Sequence, residues 1–271
     1  MEGSLDPARL QNAYHKARGQ LFREQTSNGW WEGELSTSAL STATAIVALQ
    51  MVTRQLPANE APYTELINNG IRWLADHQNE DGGWGDTVRS FSNISTTMLA
   101  RAAFITTEKV EEYPETIERA TGYIDRIGGV DAVIKRYGKD KTFSVPILTQ
   151  CALAGEVDWN QIPALPFELA CLPHQFYKTV KLPVVSYALP ALIAIGQVRH
   201  HFAKPWNPIS RVIRNLSIKP TLKKLITLQP ESGGFLEAAP LTSFVTMSLA
   251  AMESTNTRSL KRCAVSARQR S

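Results

Sequence analysis

Apolar and small residues recur at spacings of three and four along three segments of the chain, 36–52, 92–107 and 239–252. This spacing places them on one face of a helix, so the pattern predicts three helices that pack closely against their neighbours. Ser and Thr residues near the start of each segment suit a helix N-cap. No stretch of useful length alternates between apolar and polar residues, which is the pattern of a strand. The sequence therefore predicts an all-α protein.

Each of these helices follows a segment with a second shared pattern. The segments 17–33, 69–86 and 221–238 all run through a helix, a Gln, three or four polar residues, a Gly and an aromatic residue. The members of this frame are Gln25 and Trp31 in the first copy, Gln78, Gly82 and Trp84 in the second, and Gln229, Gly233 and Phe235 in the third. The repeated unit is thus a helical hairpin with a Gly-aromatic turn. Tandem hairpins build either an open solenoid or a closed ring, and the period alone does not distinguish them.

Prolines interrupt the pattern between 134 and 220. The nine in this segment are Pro146, Pro163, Pro166, Pro173, Pro183, Pro190, Pro205, Pro208 and Pro220. An internal Pro removes a backbone donor and clashes with the preceding turn, so helices here are predicted to be short or kinked. Two apolar stretches, 142–157 and 182–202, are still predicted to be helical, and a degenerate copy of the hairpin is predicted at 120–133.

Composition narrows the classes of protein that fit. With 271 residues, of which 43% are hydrophobic, the chain can bury one large core or two small ones. Its formal charge of +4 owes much to the last fifteen residues, and the nearly neutral remainder argues against binding of nucleic acid. The cysteines, Cys151, Cys171 and Cys263, are widely separated, which favours a reducing compartment. No apolar targeting segment and no run of eighteen apolar residues occurs, so we predict a cytoplasmic protein without a membrane-spanning helix.

The frame at 69–86 resembles the QW motif of squalene-hopene cyclases and oxidosqualene cyclases. It matches that motif at Gly70, Trp73, Leu74, Gln78, Gly82 and Trp84, whereas the first copy matches loosely and the third has Phe in place of Trp. The resemblance extends over nearly the whole chain and is to the N-terminal half of these proteins. It implies an α/α toroid of the terpenoid cyclase and protein prenyltransferase type over residues 1–255. In that family the Gln caps a helix end and stacks on the aromatic residue.

The acidic motifs of terpene cyclases are missing from the sequence. Squalene-type cyclases protonate an alkene with the middle Asp of a D-x-D-D motif, and class I terpene synthases ionise their substrate at a D-D-x-x-D motif; the chain contains neither. In the family that acid lies in the C-terminal half of a longer chain. The helical pattern also gives way abruptly to a basic, irregular tail at 256–271. We therefore expect a truncated protein, with a frameshift or an early stop as its origin.

The resemblance implies a class II cyclase-like protein of triterpenoid or hopanoid biosynthesis, which cyclises a polyprene such as squalene through a carbocation. Because the D-x-D-D acid is missing, the chain is predicted to be inactive alone and to pair with a missing C-terminal half or a second copy. The alternative is a non-catalytic helical-repeat module that binds an apolar lipid or a protein. A protein prenyltransferase β-like subunit is disfavoured because the chain lacks the D-x-C of its zinc site. No cofactor and no metal are implied.

Candidate site residues follow from the same resemblance. Asp86 comes directly after the Gly-Trp-Gly turn and is a candidate acid if it faces an apolar cavity. The alternative is that Asp86 or Asp81 caps the turn or pairs with Arg89, which is a common role for Asp beside Gly. Five aromatic residues are candidates for lining the substrate cavity, with an ordinary core role as the alternative for each: Phe91, Phe176, Tyr177, Tyr187 and Trp206.

Membrane attachment is a further implication of the family, because squalene-like substrates reside in the bilayer. The apolar segment 182–196 is predicted to contribute to a monotopic membrane surface or a substrate channel, with a buried core helix as the alternative. The basic tail would favour anionic lipid headgroups.

Overall fold

In the computed structural model, the residues described are 6–32, 36–57, 60–138, 141–172, 188–235 and 238–253. Regular structure in these ranges is helical throughout. The α-helices are α1 (Pro7–Arg23), α2 (Ala39–Thr53), α3 (Thr64–Asp76), α4 (Ile94–Thr106), α5 (Pro114–Ile127), α6 (Gly129–Tyr137), α7 (Lys141–Leu153), α8 (Leu189–Phe202), α9 (Pro208–Leu228) and α10 (Ala239–Glu253). Two 3-10 helices, η1 and η2, run over Trp159–Gln161 and Phe167–Cys171. No strand occurs in the described ranges, so the all-α prediction is confirmed.

Residues Met1–Thr37 form a compact unit of their own. Helix α1 follows the N-cap residue Asp6, whose carboxylate accepts a hydrogen bond from the Ala8 amide at 2.9 Å. No residue of α1 is buried. The first copy of the Gly-aromatic frame follows the helix, and the Trp31 indole donates to the Leu21 carbonyl in its last turn at 2.6 Å.

The second unit, Ser38–Ser271, contains five helices that contact one another in a closed cycle. Helix α2 contacts α4, α4 contacts α7, α7 contacts α8, α8 contacts α10, and α10 contacts α2 again. In α4, eleven of the thirteen residues are buried, as expected for a helix with neighbours on several sides. Side-chain caps begin two of these helices: Ser38 accepts from the Ser41 amide and Asn93 from the Thr96 amide.

The remaining helices of this unit pack against members of the cycle through one face. Helix α3 contacts α2 and α4 and buries only Ile67, Ile71 and Leu74, which are spaced by four and three residues. Gly70 allows this close contact, because a Cβ atom there would lie 2.9 Å from the Ile46 side chain. Burial of a side chain such as Leu74 stabilises the fold by about 1.5–3 kcal/mol. Helices α5 and α6 pack similarly against α4, and α9 packs against α8 and η2.

In the proline-rich segment both predicted helices are present within the described residues. The helix predicted at 142–157 is α7, which ends at Leu153 and contains Pro146. Within the described residues, the helix predicted at 182–202 is α8, which begins at Leu189. Its Pro190 lies in the first turn, where a missing backbone donor costs least.

Two other local features depart from the sequence pattern. In place of the degenerate hairpin predicted at 120–133, Gly128 with φ +107° links α5 directly to α6. Helix α9 runs for 21 residues with Pro220 inside it, so the expectation of short helices does not hold there.

Candidate functional site

The Gly-aromatic turn of the second copy links α3 to α4. The Gln78 side-chain amide donates to the Gly82 carbonyl at 2.9 Å and to the Thr116 carbonyl of α5 at 2.9 Å. Gly82 has φ +87°, and a Cβ atom there would lie 2.5 Å from the Arg119 carbonyl oxygen. Gly82 is therefore required both for the backbone conformation and for the close approach of α5.

Trp84 holds the other side of this turn. Its side chain is buried, and the indole N–H donates to the Leu74 carbonyl in the last turn of α3 at 2.8 Å. Its backbone amide donates to the Thr97 hydroxyl of α4 at 3.0 Å. The Leu74 carbonyl thus accepts from the indole as well as from the His77 amide at 3.3 Å, while Gln78 bonds the turn and α5. This division of roles differs from the one expected from the resemblance, in which the Gln caps the helix.

The same turn recurs in the other two copies with one spacing. A Leu lies four residues before the Gln, a Gly four residues after it, and an aromatic residue two after the Gly. The Gln25 and Gln229 side chains each donate to the Gly carbonyl at 2.7 Å, and those glycines have φ +89° and +84°. We call this arrangement the Gln-Gly clasp. The common Leu position, which receives the indole hydrogen bond in two copies, is a signal that the sequence comparison missed.

The third clasp lacks the indole, because Phe235 has no N–H group to donate. Its ring is nonetheless buried, and its backbone amide donates to the Thr242 hydroxyl at 2.9 Å, as Trp84 does to Thr97. The three clasps therefore share the hydrogen bond from Gln to the Gly carbonyl, and the third differs from the other two in its aromatic residue.

The two acidic residues beside the second clasp connect the turn to the start of α4. Asp81 accepts hydrogen bonds from the Gly83 amide at 3.1 Å and from the Ser92 hydroxyl at 2.6 Å. Asp86, the candidate acid, is exposed and accepts from the Asn93 amide group at 2.8 Å and the Thr96 hydroxyl at 2.6 Å. This geometry favours the interpretation that both residues stabilise the turn.

The candidate aromatic residues fall into two groups. Phe91 and Trp206 are 97% and 96% exposed, so neither lines an enclosed space in this structure. Phe176, Tyr177 and Tyr187 lie outside the described residues. The structure therefore brings none of the described candidates together with Asp86 in a cavity.

Comparison with known proteins identifies the fold family. The profile of the squalene-hopene cyclase N-terminal domain matches residues 14–270, which include all three clasps. The chain belongs to this family.

Similar proteins of this family come from fungi. Over 203 residues the domain is 27% identical to the squalene hopane cyclase afumA of Aspergillus fumigatus, and over 177 residues it is 28% identical to the enfumafungin synthase efuA of Hormonema carpetanum. A shorter match of 87 residues at 33% identity is to the terpene cyclase-glycosyl transferase fusion protein fsoA of Humicola fuscoatra, covering 31% of the domain and 6% of the fusion protein.

The cyclase-family domain spans only a minor part of these relatives. The matched segment covers 74% of the chain but 24% of afumA, and 65% of the chain but 12% of efuA. Most of the length of either relative therefore lies outside the segment that this chain matches.

A partly buried ion pair joins α4 to the segment after α7. The Arg101 guanidinium in α4 donates to the Glu156 carboxylate beyond α7 at 2.6 Å and to the Thr121 hydroxyl at 3.3 Å. Burial raises the pKa of Glu156, and the charge of Arg101 opposes that rise. Cys151 beside them is fully buried, and burial raises the pKa of its thiol well above the usual value, which keeps it protonated and unreactive. No sequence pattern predicts this pair, because its members lie 55 residues apart.

A second polar cluster lies where α8, α9 and η2 meet. The buried His200 ring nitrogen Nε2 lies 2.9 Å from the Asn215 side-chain oxygen, and Arg214 pairs with Glu168 at 3.2 Å. Burial lowers the pKa of His200, the hydrogen bond to Asn215 opposes that shift, and the charge of Arg214 adds to it, so the site favours the neutral ring. A neutral ring that bonds the Asn215 oxygen donates from Nε2. These contacts fix how α9 is oriented on α8.

Two cavities border the described helices, and neither includes a predicted site residue. One, of about 600 Å³, lies along α5 and α6 and is lined by Gly128 and Asp131 among others. The other, of about 370 Å³, lies between the C-terminal ends of α2, α7, α8 and α10. Among the described residues, no group of three or more His, Cys, Asp or Glu side chains is arranged to hold a metal, and no helix is both long and apolar enough to cross a membrane.

Proposed function

We propose that this chain is the N-terminal helical domain of a class II triterpene cyclase-like protein and helps to enclose a long apolar polyprene such as squalene. The observation that carries the proposal is the family match over residues 14–270, together with three Gln-Gly clasps of one spacing. On this proposal the domain supplies a rigid wall of helices, and a segment outside this chain supplies the proton donor.

The architecture that suits this role is an α/α toroid. Its support is the closed cycle of contacts through α2, α4, α7, α8 and α10, with α3, α5 and α9 packed against that cycle through one face. Clasps between successive hairpins would hold such a ring together, because Gln78 bonds both its own turn and the Thr116 carbonyl of α5. A closed ring of this kind resists opening as polyprene enters or leaves.

The acids of the described residues suit structural roles better than alkene protonation. A proton donor to an alkene must be strongly acidic and must face the substrate. Asp86 is exposed and accepts two hydrogen bonds from α4, and Glu156 is paired with Arg101. We therefore propose that the chain alone forms no cyclised product, which fits the absence of D-x-D-D from its sequence.

The direct test replaces the matched segment of the Aspergillus fumigatus relative by this chain and incubates the chimera with squalene. Cyclised triterpenes, detected by gas chromatography and mass spectrometry, are expected from the chimera and not from the chain alone. A chimera that is folded by circular dichroism and yields no product would contradict the proposal. Product from the chain alone would show that it carries its own acid.

A matched variant of the same chimera tests Asp86. Asp86→Asn keeps an oxygen that accepts hydrogen bonds from Asn93 and Thr96, and removes the acidic proton. We expect product formation within about twofold of the parent chimera, because a residue that only stabilises the turn adds little to the barrier. Complete loss of product with an unchanged melting temperature would instead assign the acid to Asp86.

The missing D-x-D-D motif favours one alternative, a non-catalytic module that holds an apolar lipid or a protein partner. This alternative and the first proposal differ in the chimera, because a module that has lost the cyclase geometry would give no product while the fold persists. A missing C-terminal half or a second copy of the chain remains the partner we propose for activity.

We also propose that the domain works in the cytoplasm at the surface of a membrane, because a squalene-like substrate resides in the bilayer. The segment 182–196 is not the best candidate for that contact. Of its described part, Pro190, Ile193, Ala194 and Ile195 are buried in α8. Their burial favours the alternative in which this segment is a core helix, so we propose that other residues contact the membrane.

A further inference from the structure

The smaller of the two cavities lies at one end of the closed cycle of helices. Its volume of about 370 Å³ is within the range of small-molecule binding sites. Helices α2, α7, α8 and α10 end around it, so a molecule bound there contacts four of the five helices in the cycle. The cavity is lined by Met51, Arg54, Gln55, Leu153, Phe202 and Ala251.

Most of this lining is apolar, and its aromatic residue is held in place. Met51 and Ala251 are buried, whereas Phe202 is 46% exposed. The Phe202 ring stacks on Trp159, with ring centroids 4.6 Å apart and an angle of 17° between the planes. A ring that is already held by a neighbour loses little conformational freedom when a ligand packs on it. The cavity therefore offers a preformed apolar wall.

Arg54 is the charged residue of the lining. Its Nη2 group donates to the Thr106 carbonyl at 2.7 Å, which anchors the guanidinium at the end of α4. Among the described residues, the Arg54 side chain makes no other hydrogen bond, so four of its five N–H groups are available to a ligand. A guanidinium presents these groups in a planar fork that fits a carboxylate.

Glu108 competes only weakly for this guanidinium. Its carboxylate oxygen lies 3.6 Å from Nη2 of Arg54, beyond the usual hydrogen-bond distance, and its side chain is 85% exposed. Exposed ion pairs of this kind are screened by water and contribute little. Arg54 is therefore available to an anion, although the charge of Glu108 lowers the affinity for it.

The lining also determines which charge a ligand should carry. The C-terminal ends of helices have partial negative charge, which by itself favours a cation. Arg54 already supplies that cation, and none of the six lining residues is acidic, so a second cation finds no formal opposite charge there. A carboxylate finds one in Arg54 and a hydrogen-bond donor in the Gln55 amide. The cavity therefore favours an anion with an apolar body over an amine.

We propose that this cavity binds a small carboxylic acid with an apolar body. The carboxylate accepts hydrogen bonds from Arg54 and Gln55, while the body packs on Met51, Phe202 and Ala251. The site uses none of the candidate residues of the cyclase role, and binding needs no polyprene. Failure of binding would therefore leave the chimera test untouched, and an inactive chimera would leave this site untouched.

The experiment follows the Met51 methyl signal by NMR in the full 271-residue chain, isotopically labelled at its methionine methyl groups. Met51 lines the cavity, whereas the buried Met98 and Met247 do not and serve as internal controls. Hexanoate is compared with hexanol, which lacks the charge, and with hexylammonium, which has the opposite charge. We expect a saturable shift of the Met51 signal, with a Kd for hexanoate at least about tenfold below that for hexanol. Equal affinities, tighter binding of hexylammonium, or no shift at Met51 would overturn the proposal.

Two matched variants test the role of Arg54. Arg54→Met removes the charge and keeps an apolar chain, and Arg72→Met makes the same change at an exposed Arg of α3 outside the cavity. The first is expected to raise the Kd for hexanoate to that for hexanol, and the second to change it by less than about twofold, because only Arg54 lines the cavity. Equal effects of the two variants would contradict the assignment. Circular dichroism melting shows whether each variant is folded.

Glu108→Gln gives a second test that leaves Arg54 in place. It removes the competing negative charge at a side chain that is 85% exposed, so the fold is expected to persist. Hexanoate should then bind about two- to fivefold more tightly and hexylammonium should not, because the charge near Arg54 becomes more positive. Unchanged or weaker binding of hexanoate would show that the anion does not reach Arg54 and would contradict the proposal.

Discussion

The second and third Gln-Gly clasps, both in the second unit, have the same turn and unequal surroundings. In the second, Gln78 makes two hydrogen bonds, Trp84 donates from both of its N–H groups, and Gly82 lies against the α5 backbone. In the third, the only hydrogen bond described for the Gln229 side chain is to Gly233, which has open space where a Cβ atom would be.

The comparison shows that the local motif determines the turn, whereas the surrounding helices determine how much the turn contributes to stability. Spacing in the sequence determines the turn, because the positive φ of the Gly and the Gln hydrogen bond are local and recur in every copy. The neighbouring helix determines how much stability depends on that turn. Helix α5 packs against the second clasp. We therefore expect each substitution in the second clasp to lower the free energy of unfolding more than the equivalent substitution in the third.

The largest expected contrast is between the two glycines. Gly82→Ala forces a Cβ atom into a positive φ and to 2.5 Å from the Arg119 carbonyl, so we expect a loss of about 4 kcal/mol in the free energy of unfolding. Gly233→Ala has the positive φ without the clash and should cost about 1–2 kcal/mol. Denaturant unfolding followed by circular dichroism measures both. Equal losses would show that the neighbouring helix contributes nothing.

The next contrast concerns the aromatic residue. Trp84→Phe makes the second clasp resemble the third and leaves the buried Leu74 carbonyl without the indole donor. The expected loss is about 1–3 kcal/mol, because one hydrogen bond and part of the buried ring are lost while the His77 amide still donates to that carbonyl at 3.3 Å. Trp73→Phe in the same helix is the control and should cost less, because Trp73 is only partly buried and stacks on the exposed ring of His77. Thermal unfolding of the two variants gives the comparison directly.

The two Gln residues give a smaller contrast. Gln78→Ala removes the hydrogen bonds to Gly82 and Thr116, whereas Gln229→Ala removes one to Gly233. With about 1 kcal/mol for each bond, the expected losses are about 2 and about 1 kcal/mol. Urea unfolding at neutral pH resolves such differences. A larger loss for Gln229→Ala would reverse the ranking of the two clasps and contradict the role assigned to α5.

Much of the fold could be predicted from local sequence patterns. Helical periodicity and the Gly-aromatic frame predicted the helices and the three turns, because both depend on residues close in sequence. Helix caps were predicted only in part. Ser and Thr were the expected caps, whereas Asn93 begins α4. The helix predicted at 142–157 ends earlier, at Leu153.

Site assignments were harder to predict because they depend on tertiary contacts. Asp86 beside a Gly-Trp-Gly turn has the same sequence whether it faces a cavity or bonds Thr96, and only the placement of α4 favours the second interpretation. The Arg101–Glu156 pair and the cluster around His200 join residues far apart in the chain, with no spacing to reveal them.

The smallest expected effect concerns how the third clasp is supported. Helix α9, which leads into that clasp, is held on α8 by polar contacts that include His200 with Asn215. Burial lowers the pKa of His200, so the unfolded chain binds this proton more readily than the folded one. The stability that depends on the neutral ring is therefore present above the unfolded pKa and is lost as pH falls through that value toward the lower folded one.

His200→Gln isolates this contribution because Gln can still donate to Asn215 and cannot take up a proton. Between pH 7 and pH 5, the free energy of unfolding of the parent chain is expected to fall more steeply than that of the variant, by at most about 1.4 kcal/mol per pH unit for one proton. Parallel curves would show that His200 has the same proton affinity in both states. The Asn215 hydrogen bond and Glu168 favour the charged ring, whereas Arg214 and Lys204 disfavour it, so Glu168→Gln should lower the folded pKa of His200 further and enlarge the fall in stability.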